Sequence, residues 1–417
     1  MERGRHVFAW LRELDGRERK TLIAAVAGWA TDSVDVMVFI YVVPTLIAVW
    51  GMTKIQAGWI TTATVISSAI GGWLAGVLAD RFGRVRILQL SIAWFAFFTF
   101  LCGFTNSFEQ LLVTRSLQGL GFGGEWAVGS VLIGEMIRPQ HRGKAVGTMQ
   151  SGWAVGWGVA NLLFLLLYSM LPEQLAWRAM FWSGILPALL VFYIRRNVQE
   201  PEVYSATRIK AKERGSHFLE IFSPGLLKTT LLTSLMFTGM MAGYYAVFFW
   251  LPTYLKTERG LSVVNTGLYT FVVIFGSFAG YVAAAYASDH LGRKKTFFLF
   301  AAGSALIAIL YTQIPINNTL MLFLGFPLGF FVSGNFSGCG PFLTELYPSR
   351  VRGSGQGFVY NFGRGMSAFA TPLVGYLSST ITLGKAIGMV AIVGFAVVIL
   401  VVALLPETRG KTLVVYD

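Results

Sequence analysis

The sequence predicts an all-α membrane protein in which twelve transmembrane helices form two six-helix halves related by a parallel pseudo-repeat. Three observations lead to this prediction: the composition, the number of apolar stretches and two loop motifs that recur at one spacing. The 417 residues are 55% hydrophobic and only 13% charged. A soluble protein of this length needs far more charge to cover its surface, so the chain is expected to lie in a lipid bilayer.

Twelve stretches are long and apolar enough to cross a bilayer, which takes about 20 largely apolar residues. They are residues 21–49, 58–79, 86–105, 109–136, 144–170, 176–195, 228–255, 265–287, 294–313, 318–346, 354–380 and 384–405. One long polar stretch separates the first six spans from the last six. We therefore assign 1–195 to an N-terminal six-helix half, 196–227 to a cytoplasmic linker and 228–417 to a C-terminal six-helix half.

The distribution of basic residues predicts the orientation in the membrane. Of the 33 lysines and arginines, 26 fall in the termini and in the loops that share their side, and 5 fall in the loops of the other side. Because cytoplasmic loops carry the excess of lysine and arginine, both termini are predicted to be cytoplasmic, in a plasma (inner) membrane. The net charge of +13 then follows from topology, and nucleic acid is not expected as a partner.

Two motifs recur between the halves. "GVLADRFGRVR" at 76–86 is matched by "AYASDHLGRKK" at 285–295, and "GEMIRPQHRG" at 134–143 is matched by "TELYPSRVRG" at 344–353. The offsets are 209 and 210 residues, which indicates two homologous halves. Because six is an even number of spans, both halves enter the membrane from the same side. The binding site is then expected between them near the midplane.

Each recurring motif keeps acidic residues beside its basic ones, which predicts ion pairs at the cytoplasmic helix ends. Such pairs can hold one conformation and break in another. The alternative is that they only cap helices and fix topology. The residues assigned to this conformational latch are Asp80, Arg84, Glu135, Arg142, Asp289, Arg293, Glu345 and Arg352.

The spans and motifs together resemble the major facilitator superfamily of membrane transporters. The similarity includes "RSLQGLGFGGE" at 115–125 and the closing "PETRGKTL" at 406–413, and it covers nearly the whole chain. "GWATDSVDV" at 28–36 and "GGEWAVGSVLIGEMIRPQHRGKAVG" at 123–147 are similar to proton symporters for organic acids, of the sialate/lactate and aromatic-acid types. The resemblance implies the major facilitator fold and transport by alternating access.

The first span carries two carboxylates, Asp32 and Asp35, which are three residues apart and share a helix face. An ionisable group at the centre of a bilayer costs at least a few kcal/mol, so each is a functional candidate. Two neighbouring carboxylates cannot both ionise easily there. We predict that Asp35 carries the coupled proton with help from Asp32. The alternative is a structural ion pair or hydrogen bond that holds helices together.

The fourth span adds Arg115 and Glu125, which lie almost three helical turns apart and face roughly similar directions. The resemblance implies that Arg115 pairs with Asp35, so that protonation of Asp35 frees the arginine. Glu125 is expected to be a second proton carrier or a polar contact that lines the cavity. The repeat counterparts of Asp32, Asp35, Arg115 and Glu125 are Met241, Tyr244, Gly325 and Asn335.

Arg364 lies within the eleventh span, with Asn361 one turn before it. The planar guanidinium fork suits a carboxylate, so both residues are predicted to bind an anionic substrate. Arg115 is the rival candidate for that carboxylate. The alternative for Arg364 is an ion pair with an acid on another helix, such as Glu125.

Aromatic residues are expected to wall the same pocket. Trp157, Tyr244 and Tyr245 lie on spans that commonly line the cavity in the resembling family. An aromatic wall with one or two arginines suits an organic anion with an apolar body. The alternative is that these side chains only pack between helices or face lipid.

These features predict a proton-coupled symporter that imports a small organic anion, a carboxylate, as a monomer, with protons as the coupling ion and no other cofactor. Two other functions stay open: a proton-coupled porter for a neutral solute such as a sugar or polyol, and a membrane receptor that binds a ligand without flux. An enzyme is not expected, because the four histidines fall in the terminus and loops. The spans hold no nucleophile–base arrangement and no cluster of metal ligands.

Overall fold

The computed structural model describes residues 10–138, 142–198, 218–348 and 351–409, which are almost entirely helical. The helices are α1 (Trp10–Glu13), α2 (Gly16–Trp50), α3 (Lys54–Phe82), α4 (Arg84–Cys102), α5 (Phe108–Met136), α6 (Arg142–Met170), α7 (Glu173–Ser183), α8 (Ala188–Asn197), α9 (Leu227–Thr257), α10 (Val263–Leu291), α11 (Arg293–Thr312), α12 (Asn318–Gly334), α13 (Cys339–Leu346), α14 (Arg352–Ser367), α15 (Ala370–Leu377) and α16 (Leu383–Leu404). Helices occupy all twelve predicted spans. Within the described ranges, nine segments are long and apolar enough to cross a membrane.

The chain packs into two compact units. Unit 1 comprises the described residues of Met1–Val38, Ser67–Ala160 and Arg178–Arg214. Unit 2 comprises those of Phe39–Ile66, Asn161–Trp177 and Gly215–Asp417. Helices α2, α3, α6 and α7 therefore contribute residues to both units. The division into halves at 195 and 228 rests on the sequence repeat and stays a prediction.

The sequence repeat has a counterpart in backbone geometry. Gly83 joins α3 to α4 with a φ of 109°, and Gly292 joins α10 to α11 with a φ of 97°. Residues with a Cβ rarely adopt such values, so each connection requires glycine. The two glycines are the matched pair of the first repeated motif, and each unit thus turns its chain in the same way at this point.

A close helix crossing is repeated as well. A Cβ on Gly71 of α3 would lie 2.0 Å from the carbonyl oxygen of Leu120 on α5, and one on Gly280 of α10 would lie 2.1 Å from that of Phe330 on α12. Small residues of this kind let two membrane helices approach closely. Gly71 corresponds to Gly280, and Leu120 to Phe330, at the offsets of the sequence repeat. The two units therefore share this helix crossing as well as the glycine turn.

Three predicted spans are broken by a turn, although the sequence predicted one continuous helix for each. The sixth span divides into α7 and α8 at 184–187, the tenth into α12 and α13 at 335–338, and the eleventh into α14 and α15 at 368–369. A proline lies in or just after each break: Pro187, Pro341 and Pro372. Proline lacks an N–H and leaves the carbonyl four residues earlier without its helical donor.

The break in the eleventh span shows how unit 2 satisfies this carbonyl. The oxygen of Ala368, four residues before Pro372, accepts from the hydroxyl of Thr62 at 2.9 Å and from that of Thr371 at 3.0 Å. Two hydroxyls therefore replace the missing N–H. As a result Arg364 lies in the last turn of α14, and not in the middle of a long helix as the sequence predicted.

The start of α2 in unit 1 is fixed by a reciprocal cap. Asp15 Oδ1 accepts from the backbone N–H groups of Arg17 and Glu18, both at 2.8 Å, and Glu18 Oε2 accepts from the N–H of Asp15 at 3.0 Å. This is a capping box, which satisfies N–H groups that have no partner inside the helix. Glu18 also pairs with Arg138 at 2.8 Å, which ties the start of α2 to the residues that follow α5.

Candidate functional site

Asp35 lies at the centre of a buried polar cluster in unit 1. Its side chain, on α2, is 2% exposed, and Arg115 Nη1 on α5 lies 3.2 Å from Oδ2. Gln118 Nε2, one turn further along α5, donates to the same oxygen at 2.6 Å. The hydroxyl of Thr99 on α4 donates to Oδ1. The ion pair expected between Asp35 and Arg115 is therefore formed, and two neutral donors complete it.

This cluster suits an ionised carboxylate. A buried charge is tolerated when it is paired and its remaining lone pairs are hydrogen-bonded. Asp35 meets both conditions, because one oxygen accepts from Arg115 and Gln118 and the other from Thr99. The cluster also joins three helices of unit 1, α2, α4 and α5, through one side chain.

A second pair of acids lies one helical turn earlier on α2. Asp32 is fully buried and Glu125 of α5 is 1% exposed, and their side chains are within hydrogen-bonding reach of each other. Gly28 makes room for this approach, since a Cβ there would lie 2.1 Å from Glu125 Oε1. Ionised carboxylates only accept hydrogen bonds, so a hydrogen bond between these acids requires a proton on one of them.

Two members of the cluster, Thr99 and Gln118, were missed from the sequence. Gln118 stands three residues after Arg115 in "RSLQGLGFGGE", so a search of the helix face that carries Arg115 would have found it. Thr99 offered no such signal, because nothing in "SIAWFAFFTFLC" indicates which carboxylate its hydroxyl meets.

The residues expected to bind the substrate are distributed over both units. Arg364 in unit 2 is 6% exposed, and Asn361 donates to the carbonyl of Gly357 at 2.9 Å. Tyr244 is buried with Tyr245 beside it, their ring centroids 6.0 Å apart. Trp157, in unit 1, is 2% exposed. Their convergence on one ligand stays a prediction.

The latch motif of unit 2 forms one of its ion pairs. Arg293 Nη2 lies 2.9 Å from Glu345 Oε1, and the hydroxyl of Thr408 donates to Glu345 Oε2. Arg352 donates instead to the carbonyl of Thr344 at 2.9 Å. The side chains of the other five latch residues lie outside the part of the chain that is described; they are Asp80, Arg84, Glu135, Arg142 and Asp289.

The closing "PETRG" motif caps helix α11. Glu407 accepts from the backbone N–H of Arg293 at 2.9 Å and from that of Lys294 at 3.1 Å. Partial burial acts to raise the pKa of Glu407, but the N–H donors outweigh it and hold the pKa below the ordinary 4.5. A carboxylate at this place is favoured by the positive end of the helix dipole.

The sequence matches the Major Facilitator Superfamily over residues 22–315 and 265–415. The chain belongs to this superfamily. It is therefore an integral membrane transporter and not an enzyme, and the fold and family predicted from the motifs are confirmed.

Two relatives and one solved structure illustrate the similarity. The probable 4-methylmuconolactone transporter of Cupriavidus pinatubonensis is 43% identical over 404 residues, covering 97% of this chain and 94% of the relative. The cis,cis-muconate transport protein of Acinetobacter baylyi is 31% identical over 361 residues, covering 85% and 86%. The inward-open xylose transporter XylE from Escherichia coli superposes with a TM-score of 0.74, at 20% identity and with 94% and 97% covered. The likeness to XylE concerns the fold alone.

Proposed function

We propose that this transporter imports a small organic acid in its carboxylate form together with protons, by alternating access. Its relatives are named for 4-methylmuconolactone and cis,cis-muconate, which are both carboxylic acids. The observation that supports proton coupling most directly is the burial of two neighbouring acids, Asp32 and Glu125, next to the Asp35–Arg115 ion pair.

The buried centre of unit 1, as far as it is described, holds three carboxylates, Asp32, Asp35 and Glu125, with the guanidinium of Arg115. Arg115 and Glu125 are separated by about 15 Å along α5, and Arg115 is held by Asp35. Arg115 therefore neutralises Asp35, and a proton neutralises the Asp32–Glu125 pair in part.

Asp32 and Asp35 are one turn apart on α2, about 4.5 Å along its axis. A proton held between Glu125 and Asp32 is thus one short transfer from Asp35. Protonated Asp35 would no longer hold Arg115 by charge, so this transfer would release the ion pair that joins α2 to α5. In this proposal Asp35 remains the switch, and Asp32 and Glu125 supply its proton.

Arg115 is engaged by Asp35 in this structure, so we assign the substrate carboxylate to Arg364, with Asn361 one turn away on α14. A guanidinium can bind a carboxylate through two parallel hydrogen bonds. Trp157, Tyr244 and Tyr245 would then contact the apolar body of the acid.

Proton uptake by lightly buffered liposomes tests the proposal. Protein is reconstituted, cis,cis-muconate or 4-methylmuconolactone is added outside, and the external pH is recorded. We expect alkalinisation with the wild type and none with Glu125→Gln, because the amide cannot release a proton. Exchange of labelled substrate across the same liposomes should survive in Glu125→Gln, since exchange needs no net proton release.

The matched control is Glu109→Gln, the same change at an exposed position of the same helix. Liposomes with this variant should alkalinise the external medium as the wild type does. Uptake of either acid without any pH change would refute proton coupling. If neither acid enters and an uncharged sugar or polyol does, the chain is a porter for neutral solutes and the assignment of Arg364 is wrong.

A further inference from the structure

A cavity of about 510 Å³ opens in unit 1 where α2 begins and where α5 and α8 end. Its lining residue Thr21 precedes Asp32 on α2 by eleven residues, which is about 16 Å along the helix axis. Its polar lining residues are Asp15, Arg17, Lys20, Thr21, Arg196 and Asn197. The predicted orientation puts these helix ends at the cytoplasmic surface of the membrane.

The cavity is positively charged. The lining contains three cationic side chains, Arg17, Lys20 and Arg196, and one carboxylate, Asp15. Its formal charge is therefore +2. Asp15 is also committed to the cap of α2, where its Oδ1 accepts two backbone N–H groups. Among the ion pairs between described residues, none involves Lys20 or Arg196. The lining therefore attracts an anion.

A buried hydroxyl in the wall indicates the same kind of ligand. Thr21 is 1% exposed, and its Oγ1 has no hydrogen-bond partner among the described residues. A buried hydroxyl without a partner is destabilising, and such groups are usually satisfied by a ligand or water. Because Thr21 follows Lys20 on α2 and lines the cavity, its O–H is placed to donate to an anionic oxygen.

The surface next to the cavity favours a lipid over a free ion. Arg196 continues the face of α8 that carries Leu189 and Phe192, at spacings of four and three residues. Phe192 is 68% exposed and Leu189 is 64% exposed, so in a membrane this face meets acyl chains. An apolar face that ends at a basic cavity fits one molecule with a hydrocarbon tail and an anionic head.

We propose that this cavity binds the phosphate of an anionic phospholipid, with Lys20, Arg196 and the Thr21 hydroxyl as its contacts. The acyl chains of the bound lipid are those of the surrounding bilayer, so the cavity distinguishes lipids by their head groups. Basic pockets between transmembrane helices on the cytoplasmic side are suited to such head groups.

Native mass spectrometry of the full chain in a neutral detergent tests this proposal. Phosphatidylglycerol and phosphatidylcholine with the same acyl chains are titrated separately, and inorganic phosphate forms a third arm. The variants are Lys20→Gln with Arg196→Gln, and Thr21→Val, which removes the hydroxyl at nearly constant shape. The matched control is Arg12→Gln with Arg19→Gln, two exposed cations of the same region that do not line the cavity.

We expect the wild type to retain phosphatidylglycerol in preference to phosphatidylcholine. Loss of two cations should weaken phosphatidylglycerol binding about 30-fold, Thr21→Val should weaken it about fivefold, and the control should match the wild type. Equal retention of the two lipids, or equal weakening in the control pair, would overturn the proposal. Binding of inorganic phosphate with the same dependence on Lys20 and Arg196, without lipid binding, would overturn the lipid assignment and identify a site for free phosphate.

Discussion

Units 1 and 2 place different chemistry at positions that the sequence repeat relates. In unit 1 these positions are Asp32, Asp35, Arg115 and Glu125, and in unit 2 they are Met241, Tyr244, Gly325 and Asn335. The donors around Asp35 differ in the same way, because Thr99 corresponds to Ala308 and Gln118 to Leu328, both fully buried. The ionisable network of one unit is replaced as a whole in the other.

Unit 2 fills these positions by packing. Tyr244 meets Phe248 and Phe336 edge-on, with ring centroids 4.7 Å and 5.2 Å away. Asn335 donates to Ser304 at 3.0 Å and to the carbonyl of Phe331 at 2.9 Å. Since unit 2 keeps the glycine turn and the helix crossing of unit 1 without the charges, the fold does not need them. That difference supports a functional reason for the charges of unit 1.

The largest expected effect comes from removing the cation of unit 1. Arg115→Gln leaves the Asp35 carboxylate buried without its charge partner, which typically costs about 3–5 kcal/mol. We expect a lower midpoint of thermal unfolding in detergent and no uptake of either acid. Asp35→Asn combined with Arg115→Gln should recover much of the stability but no uptake. If the single variant unfolds like the wild type, Arg115 does not stabilise Asp35 and the comparison between the units fails.

The sequence could predict the members of this network that are costly in a membrane. Asp32, Asp35, Arg115 and Glu125 were found because an ionisable residue in an apolar span stands out. Thr99 and Gln118 were not, since a neutral polar residue costs less than a charged one and is common in apolar spans, and its partner depends on how three helices pack.

The fold was predictable to a similar depth. Hydropathy located every span, but it cannot detect a turn within an apolar segment, and it missed the breaks at 184–187, 335–338 and 368–369. Pro187, Pro341 and Pro372 were visible signals. Whether a proline bends a helix or ends it depends on local donors, such as the hydroxyl of Thr62 on Ala368.

A second prediction exchanges matched residues between the units. Gln118→Leu gives unit 1 the residue of unit 2 and removes a hydrogen bond to a charged group, which contributes about 1.5–3 kcal/mol. We expect reduced stability and reduced proton-coupled uptake. The reverse change, Leu328→Gln, buries an amide in an apolar position and should lower stability. The rise in external pH for each substrate molecule imported should stay at the wild-type value. Equal effects of both variants on that signal would contradict a division of roles between the units.

A third prediction concerns Asn335, the polar residue of unit 2 that corresponds to Glu125 in the sequence repeat. Asn335→Ala removes two hydrogen bonds and should lower the free energy of unfolding by about 1–2 kcal/mol. The number of protons moved per substrate should stay at the wild-type value, measured in the same liposomes. A loss of proton movement like that expected for Glu125→Gln would show that both units take part in coupling.

The smallest expected effect lies outside the membrane, at Glu407 of unit 2. Glu407→Gln removes the negative charge at the start of α11, which contributes about 0.3–1 kcal/mol and less at high salt, because the side chain is exposed. The pKa of Glu407 is lowered in the folded protein, so its contribution is present above pH 4.5 and is lost as the pH falls through the lowered pKa. The difference in unfolding midpoint between wild type and variant should therefore be constant from pH 7 to about 5 and shrink in more acidic solution. A difference that grows on acidification would show that burial, and not the backbone donors, dominates at this carboxylate.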